Sequence, residues 1–294
     1  MLIADPNAQT GGRLFIVSTP IGNLEDITLR AIRTLRESQL VLAEDTRTTR
    51  KLLDRYEIAT PMLACHEHNE AAVTPRALER LRAGDSLALV SDAGTPLLSD
   101  PGRRLVSAVI EAGFEVVPIP GASALLPALV ASGLESGRFT FLGFLARKGR
   151  DRAAELTRIA ESPFTVAIYE SPHRVADTLR DLAEAAGADR PAVVARELTK
   201  LHEEVRRGTL AELAAYYSEH APRGEIVVVV GPRESPALDG DMLRRKAAGM
   251  LSAGMSPREV ARTLAADFGA PRNLAYRLAH QAGDTDSASP ASDE

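Results

Sequence analysis

The sequence predicts an α/β protein built on mostly parallel sheet. Short apolar runs alternate with helical patterns along most of the chain. The core must come from Ala, Leu, Val and Ile, because apolar residues are 45% of the 294 residues and aromatics only 4%. Nearly every apolar run stops at a cluster of small, polar or Pro/Gly residues, the punctuation of strand-end loops.

The elements follow in order. Leu14–Ser18 reads as a strand, broken by Thr19-Pro20-Ile21-Gly22-Asn23. Leu29, Ile32 and Leu35 recur at helical spacing. Leu40–Ala43 is a second strand, ending at Glu44-Asp45, and 46–56 and 71–83 read as helices. The strand at 87–90 feeds Ser91-Asp92-Ala93-Gly94-Thr95-Pro96. A helix over about 102–112 leads to the strand Val116–Ile119, then Pro120-Gly121-Ala122-Ser123 and a further helix. Gly133–Gly137 is a polar break and the expected domain boundary.

The second half repeats the alternation, with strands at 139–144, 164–169, 191–196 and 225–231 and helices between them, for example 173–186. Ile226–Val230 is continuously apolar, so it should be central in its sheet. After a linker at Pro232–Asp239 come helical patterns at about 240–253, 257–268 and 271–281. Ser256 caps the middle one, Pro257 is its first residue, and Gly269 ends it. The expected domains are a flexible arm (1–12), a first α/β domain (13–134), a second (135–233), a C-terminal helical module (238–282) and a disordered acidic tail (283–294).

Composition bounds the function. A net charge of −5 gives no overall preference for nucleic acid, and a single cysteine, Cys65, permits no internal disulfide, as expected in a reducing compartment. The opening MLIADPNAQTGG has neither the basic start nor the apolar stretch of a signal peptide, and no run approaches a membrane span. A soluble cytoplasmic protein is expected.

Ligands of open parallel sheets sit beyond the carboxyl ends of the strands. That rule nominates Ser18–Asn23, Glu44–Arg47, Ser91–Pro96, Pro120–Ala124, Tyr169–Arg174 and Arg196–Lys200, although each taken singly also reads as an ordinary tight turn. The Ser91–Pro96 loop is not a phosphate loop, since it lacks the Gly-Lys-[Ser/Thr] ending, and no Gly-x-Gly-x-x-Gly follows the first strand. Small side chains, backbone groups and Asp92 suit a compact ligand with few charges, such as an amino-acid moiety or an adenosine.

Six blocks occur together and in order: Thr19-Pro20-Ile21-Gly22-Asn23-Leu24-Glu25-Asp26-Ile27-Thr28, Ala43-Glu44-Asp45-Thr46-Arg47, His68-Asn69-Glu70, Ser91-Asp92-Ala93-Gly94-Thr95-Pro96, Tyr169-Glu170-Ser171-Pro172-His173-Arg174 and Ala195-Arg196-Glu197-Leu198-Thr199-Lys200. From about residue 13 to 281 the chain resembles the ribosomal RNA small subunit methyltransferase I family of the tetrapyrrole methylase superfamily. The resemblance implies two α/β domains with a cofactor cleft between them, and S-adenosyl-L-methionine as cofactor. It also implies a homodimer, and 2′-O-methylation of the ribose of cytidine 1402 in 16S rRNA. By position in the motifs, Pro20, Asp92, Gly94, Thr95, Ser123 and Ala124 would line the cofactor, with Tyr169 and Ile226 closing the cleft.

A ribose hydroxyl is a weak acid, so a base would help the transfer. Lys200 is the first candidate if desolvation removes its proton, with Glu197 setting its charge state; it could equally stay charged and hold a phosphate or stabilise the developing alkoxide. Glu44 and Asp45 are the competing pair, and the plain alternative for Arg196–Lys200 is a solvated helix start with an ordinary ion pair. Arg47, Arg50, His68, Asn69, His173, Arg174 and Arg196 are candidate RNA contacts. His66-Glu67-His68 lacks the spacing of a zinc site, and no metal is expected. In 241–280, seven Lys or Arg against three acids give a net +4, so the C-terminal module reads as a helix-turn-helix variant for RNA or as a packing or oligomerisation element. The competing functions are a corrin-ring methylase, diphthine synthase, or a ribosome-assembly factor with a relict cleft.

Overall fold

The computed structural model describes residues 11–233 and 240–284. They belong to two compact units that meet in sequence between Arg233 and Glu234. The expected arm up to residue 10, the linker at 234–239 and the tail from 285 lie outside the described residues.

The first sheet is fully parallel. Strands β1 (Arg13–Val17), β2 (Leu40–Ala43), β3 (Met62–Ala64), β4 (Leu87–Val90) and β5 (Glu115–Ile119) pair in the order β3-β2-β4-β1-β5. Helices α1 (Leu29–Glu37), α2 (Thr46–Arg55), α3 (Glu70–Arg82), α4 (Arg103–Glu111) and α5 (Leu125–Ser132) run between and after them. Successive side chains alternate in face, so Leu87 and Leu89 join Leu14, Ile16, Leu40 and Leu42 on one side. Ala88 and Val90 join Val17, Val41 and Ala43 on the other. The inner strands β2 and β4 are covered on both faces, which is why they are apolar throughout. Because the pairing is parallel, the carboxyl ends of β2, β4, β1 and β5 share one edge. The loops that begin at Glu44, Ser91, Ser18 and Pro120 therefore lie side by side.

The second sheet departs from the parallel arrangement expected. Strands β6 (Phe139–Phe144), β7 (Thr165–Glu170), β8 (Pro191–Arg196), β9 (Glu204–Thr209) and β10 (Ile226–Val230) lie in the order β6-β7-β10-β8-β9. Only β6 and β7 are parallel; β10 is antiparallel to β7 and β8, and β9 to β8. The connection 197–203 is too short for the crossover a parallel pair requires, so β9 turns back on β8. Arg196–Lys200 thus enters a hairpin link, not a helix. Helices α6 (Gly149–Glu161), α7 (Val175–Ala186) and α8 (Leu210–Glu219) cover one face of this sheet.

As its apolar run predicts, β10 is central and buried along its whole length. On the other face Ala167, Val193, Ala195, Val227 and Val229 pack on Leu125, Ala128 and Leu129 of α5 and on Ile21. Ile226 stands opposite both Glu170 and Arg196, so the ends of β7 and β8 meet the start of β10.

The C-terminal unit consists of α9 (Gly240–Ser252), α10 (Pro257–Asp267) and α11 (Arg272–Asp284) around Leu243, Ala247, Val260, Leu264, Ala275 and Leu278. The Ser256 hydroxyl and Glu259 carboxylate form a reciprocal capping box at the start of α10. Among the described residues no helix is long and apolar enough to cross a membrane.

Candidate active site

The strand-end loops of the first sheet are laced to one another. Thr19 N donates to Gly94 O and Gly94 N to Thr19 O, both at 2.9 Å. The Ser18 and Thr95 hydroxyls lie 2.9 Å apart, and Thr95 Oγ1 donates to Ala122 O at 3.2 Å. Asp92 N donates to Glu44 Oε2 at 3.2 Å, and Asp92 Oδ1 accepts from Asp45 N at 3.1 Å. Gly94 holds φ +78°, with Ile21 Cγ2 at 3.4 Å from where a Cβ would stand, so this tight approach favours glycine.

These loops form one wall of a cavity of about 370 Å³, a volume typical of small-molecule sites. Ile21, Glu44, Asp92–Thr95, Ser123 and Ala124 contribute from the first sheet's edge, and Leu98, Ser99 and Asp100 from the continuation of the Ser91 loop. Phe144, Tyr169–Pro172, Ala195, Leu198 and Gly224–Val227 face them from the second sheet. The Tyr169 ring is braced by Phe141 at 4.8 Å and Phe144 at 5.6 Å between centroids. Of the expected cofactor residues, Asp92, Gly94, Thr95, Ser123, Ala124, Tyr169 and Ile226 stand on this cavity. Pro20 does not; it lines a neighbouring hollow of about 220 Å³ with Gly22, Thr48 and Lys51.

The cavity is acidic. Burial, with Asp92 and Asp45 nearby, raises the Glu44 carboxyl above its usual range, and burial raises Asp92 as well. Asp100 is pushed up to about 6, first by burial and then by Glu44, while a Ser91 hydrogen bond opposes the rise. Burial and the charges of Asp100 and Glu225 raise the Tyr169 phenol. Asp45 behaves oppositely: hydrogen bonds from the Arg47 side chain and backbone hold it at about 2. Asp45 does not line the cavity and, so paired, is a weak proton acceptor.

Lys200 lies across the rim. Its Nζ donates to Glu197 Oε1 at 2.8 Å and to Glu225 Oε2 at 3.3 Å. Its stem covers Gly22, where a Cβ would sit 2.3 Å from Lys200 Cγ. Burial alone would lower its pKa, but the bonds to Glu197 and Glu225 outweigh it and the net shift is upward. Of the two readings of Lys200, a neutral base or a retained charge, these bonds favour the charged form, an ammonium that clasps the first sheet's edge to Glu225. Glu197, held low chiefly by the Lys200 hydrogen bond, also accepts from Glu225 N at 3.2 Å.

The expected RNA residues separate. Arg47, Arg50, His68 and His173 are exposed. Arg174, by contrast, donates to Leu145 O at 2.9 Å and faces the buried Glu170 at 3.4 Å. Arg196 is held by Glu204 at 2.9 Å across the hairpin. Asn69 spends its amide on Ala64 O and His66 N. The polar groups of these last three already serve the fold, and the exposed Arg47 is likewise paired, to Asp45 at 2.6 Å. His66 and His68 are edge-to-face at 6.0 Å, and among the described residues no group of three or more His, Cys, Asp or Glu has the arrangement of a metal site.

Phe144 and Glu225 were not anticipated from the sequence, and Leu98 and Asp100 were given no role within the Pro- and Gly-rich stretch 91–102. For Asp100 a signal existed: Pro101-Gly102 extends the loop beyond Pro96.

A parallel sheet whose strand-end loops face a second, mixed sheet across a small acidic cavity here belongs to a methylase of the tetrapyrrole type, as the family match shows. The family described as Tetrapyrrole (Corrin/Porphyrin) Methylases matches residues 13–214. More narrowly, the chain belongs to the ribosomal RNA small subunit methyltransferase I family. It is 46% identical over 270 residues to the "Ribosomal RNA small subunit methyltransferase I" of Synechocystis sp., covering 91% of this chain and 97% of that one. With the protein of that name from Xylella fastidiosa it shares 48% over 274 residues, covering 91% and 99%. A solved uroporphyrin-III C-methyltransferase from Thermus thermophilus, complexed with S-adenyl homocysteine, has the same fold: TM-score 0.55 at 20% identity, over 75% of this chain and 97% of that one.

Proposed function

We propose that this chain transfers the methyl group of S-adenosyl-L-methionine to the ribose 2′-oxygen of a cytidine in 16S rRNA, at the position numbered 1402, within the small ribosomal subunit. The observation that carries the reading is full-length identity above 40% to methyltransferases of that name, together with the intact cavity.

The residues present fit the cofactor. Leu98, Phe144, Tyr169 and Ile226 offer apolar surface for an adenine, and Thr95 and the backbone around Gly94 offer small polar contacts. Glu44, Asp92 and Glu225 complement a cationic sulfonium and ammonium. When bound, the cofactor supplies an electrophilic methyl. The chain's own residues supply orientation and dryness: the laced loops fix one wall, the Tyr169 cluster excludes water, and Lys200 holds Glu225 against the first sheet's edge.

Exposed Arg50, and Arg47 if it exchanges its Asp45 partner, would meet phosphates beside the cavity loops, and the basic C-terminal unit would offer a second surface. We infer a homodimer from the family resemblance and from Leu126 and Val130 of α5, which stand 55% and 76% exposed. With a ribosomal substrate, the protein acts in the cytoplasm.

The test uses labelled S-adenosylmethionine and small subunits from a strain lacking this activity, with the RNA digested to nucleosides. Label in 2′-O-methylcytidine is expected. Label on a base, or on a corrinoid or diphthamide precursor offered instead, would overturn the assignment. Sedimentation equilibrium tests the dimer; a monomer at micromolar concentration would refute it.

A further inference from the structure

We infer that Asp100 is the group that takes the proton from the acceptor hydroxyl. The inference rests on the 2′-O-methyl reading above. It comes from asking of every carboxylate on the cavity wall where its oxygens are already spent. Those carboxylates are Glu44, Asp92, Asp100, Glu170 and Glu225.

Glu170 is fully engaged. It accepts from Ser171 N at 2.7 Å and from Thr178 Oγ1 at 2.7 Å, with Arg174 at 3.4 Å. Asp92 accepts Asp45 N at 3.1 Å, and Glu44 accepts Asp92 N at 3.2 Å, so each buttresses the other's loop. Glu225 is 66% exposed and is held by the Lys200 ammonium at 3.3 Å. Among the described residues no arginine or lysine forms an ion pair with Asp100, and beside it stands the Ser91 hydroxyl, which also reaches Ala93 O at 3.3 Å. A carboxylate with a cation or backbone donors is a poor base; one facing only a hydroxyl and other carboxylates is a better one.

The backbone delivers Asp100 to this place at some expense. Leu97 and Ser99, neither of them glycine, hold φ of 76° and 75°. Gly102 follows at φ +117°, and a Cβ there would meet Leu89 Cδ2 at 2.7 Å. Left-handed non-glycine residues on both sides of Leu98 persist only where surroundings over-determine them, typically at functional sites. Ser99 reaches the second sheet: a Cβ on Gly143 would lie 2.9 Å from Ser99 Oγ. The segment is thereby pinned between both walls, with Asp100 on the cavity.

The groups facing Asp100 are Glu44 from the end of β2, Asp92 from the Ser91 loop, Glu225 ahead of β10 and the Tyr169 phenol from β7. All are anionic or neutral. They favour proton uptake by Asp100, whose pKa of about 6 leaves it ionised, and still basic, at neutral pH. In the transfer the ribose oxygen bonds to the methyl carbon, and the carbon–sulfur bond breaks with its electron pair going to sulfur. The hydroxyl proton passes to the Asp100 carboxylate and then to water.

The experiment compares wild type, Asp100→Asn and Glu44→Gln for label incorporation across pH 5 to 9, with S-adenosylhomocysteine affinity measured by calorimetry. In wild type the rate rises with pH through about 6, where Asp100 loses its proton, and then levels. Asp100→Asn should keep ligand affinity, lose about 100-fold or more in rate, and lose the rising limb. Glu44→Gln removes a like charge, so its limb should persist and move to lower pH. The inference is overturned if Asp100→Asn keeps the limb, if its only defect is ligand affinity, or if Glu44→Gln abolishes the limb instead. No label from wild type at any pH overturns the substrate reading itself, a separate result.

Discussion

Replacing Gly224 by alanine tests how the far wall of the cavity is held. Gly224 sits at φ +84°, and a Cβ there would lie 1.9 Å from Glu197 Oε1 and 2.2 Å from Glu197 Cδ. The left-handed backbone costs an L-residue about 1–2 kcal/mol. Displacing Glu197 also breaks its bonds to Lys200 Nζ at 2.8 Å and Glu225 N at 3.2 Å. The Lys200–Glu197 pair is only 28% and 18% exposed, so water replaces it poorly. Losing such a charge-assisted pair costs about 1–3 kcal/mol. The total is about 2–5 kcal/mol, and in a unit of this size Tm should fall by roughly 5–15 °C in calorimetry. A double-variant cycle isolates the cause. In a Glu197→Ala background the clash is gone, and Gly224→Ala should cost only its backbone share. Additive costs in the double variant would refute the reasoning, as would an unchanged Tm in the single one.

Lys200→Arg should retain far more activity than Lys200→Met, because a clasp needs a cation; equal loss in both would restore the proton-acceptor reading. Asp100 is raised from 3.8 to about 6 in the folded chain, so its ionisation opposes folding. The penalty is absent below about pH 4, grows as pH rises through 6, and then levels, reduced by the solvent that still reaches this half-buried carboxylate. Asp100→Asn should therefore raise Tm at pH 8 and leave it unchanged near pH 4; a variant less stable at pH 8 would contradict this. Leu264 is fully buried in the C-terminal unit, and Leu264→Ala should cost that unit about 2–5 kcal/mol, read as a shifted calorimetric transition. Removing 237–294 should weaken binding to small-subunit RNA, and flatten its salt dependence, while sparing S-adenosylhomocysteine affinity. The reverse pattern would exclude the module as an RNA surface.

Four strands of the first sheet were legible because they carry apolar runs ending at polar loops; β3, three half-buried residues at its edge, was not. The second was legible in its elements but not its directions. The runs at Val193–Ala195 and Ile226–Val230 look alike whichever way they point, and β9, with Arg206, Arg207 and Gly208, has no apolar run at all. The loop residues from Asp92 to Thr95 could be placed from their strand alone. Asp100 could not, since its position depends on left-handed turns at leucine and serine, which residue type does not encode. Arg174 and Arg196 read as free cations because their partners, Glu170 and Glu204, meet them only through tertiary or hairpin geometry. The charge of Lys200 likewise depends on Glu225, distant in sequence and brought near by β10.

The position of β10 also bears on how the molecule comes into being. The first sheet has all its strands once the chain has grown past Ile119. The second does not, because β7 and β8 are successive in sequence yet separated by the last strand made. Until Val230 emerges, the gap between them stays open and Tyr169 has no Val227 opposite it. At about 5–20 residues per second, the ribosome takes roughly 5–20 s to make that stretch. A growing chain therefore carries a finished half beside an unfilled sheet, and its ability to hold a ligand arises in a single late insertion.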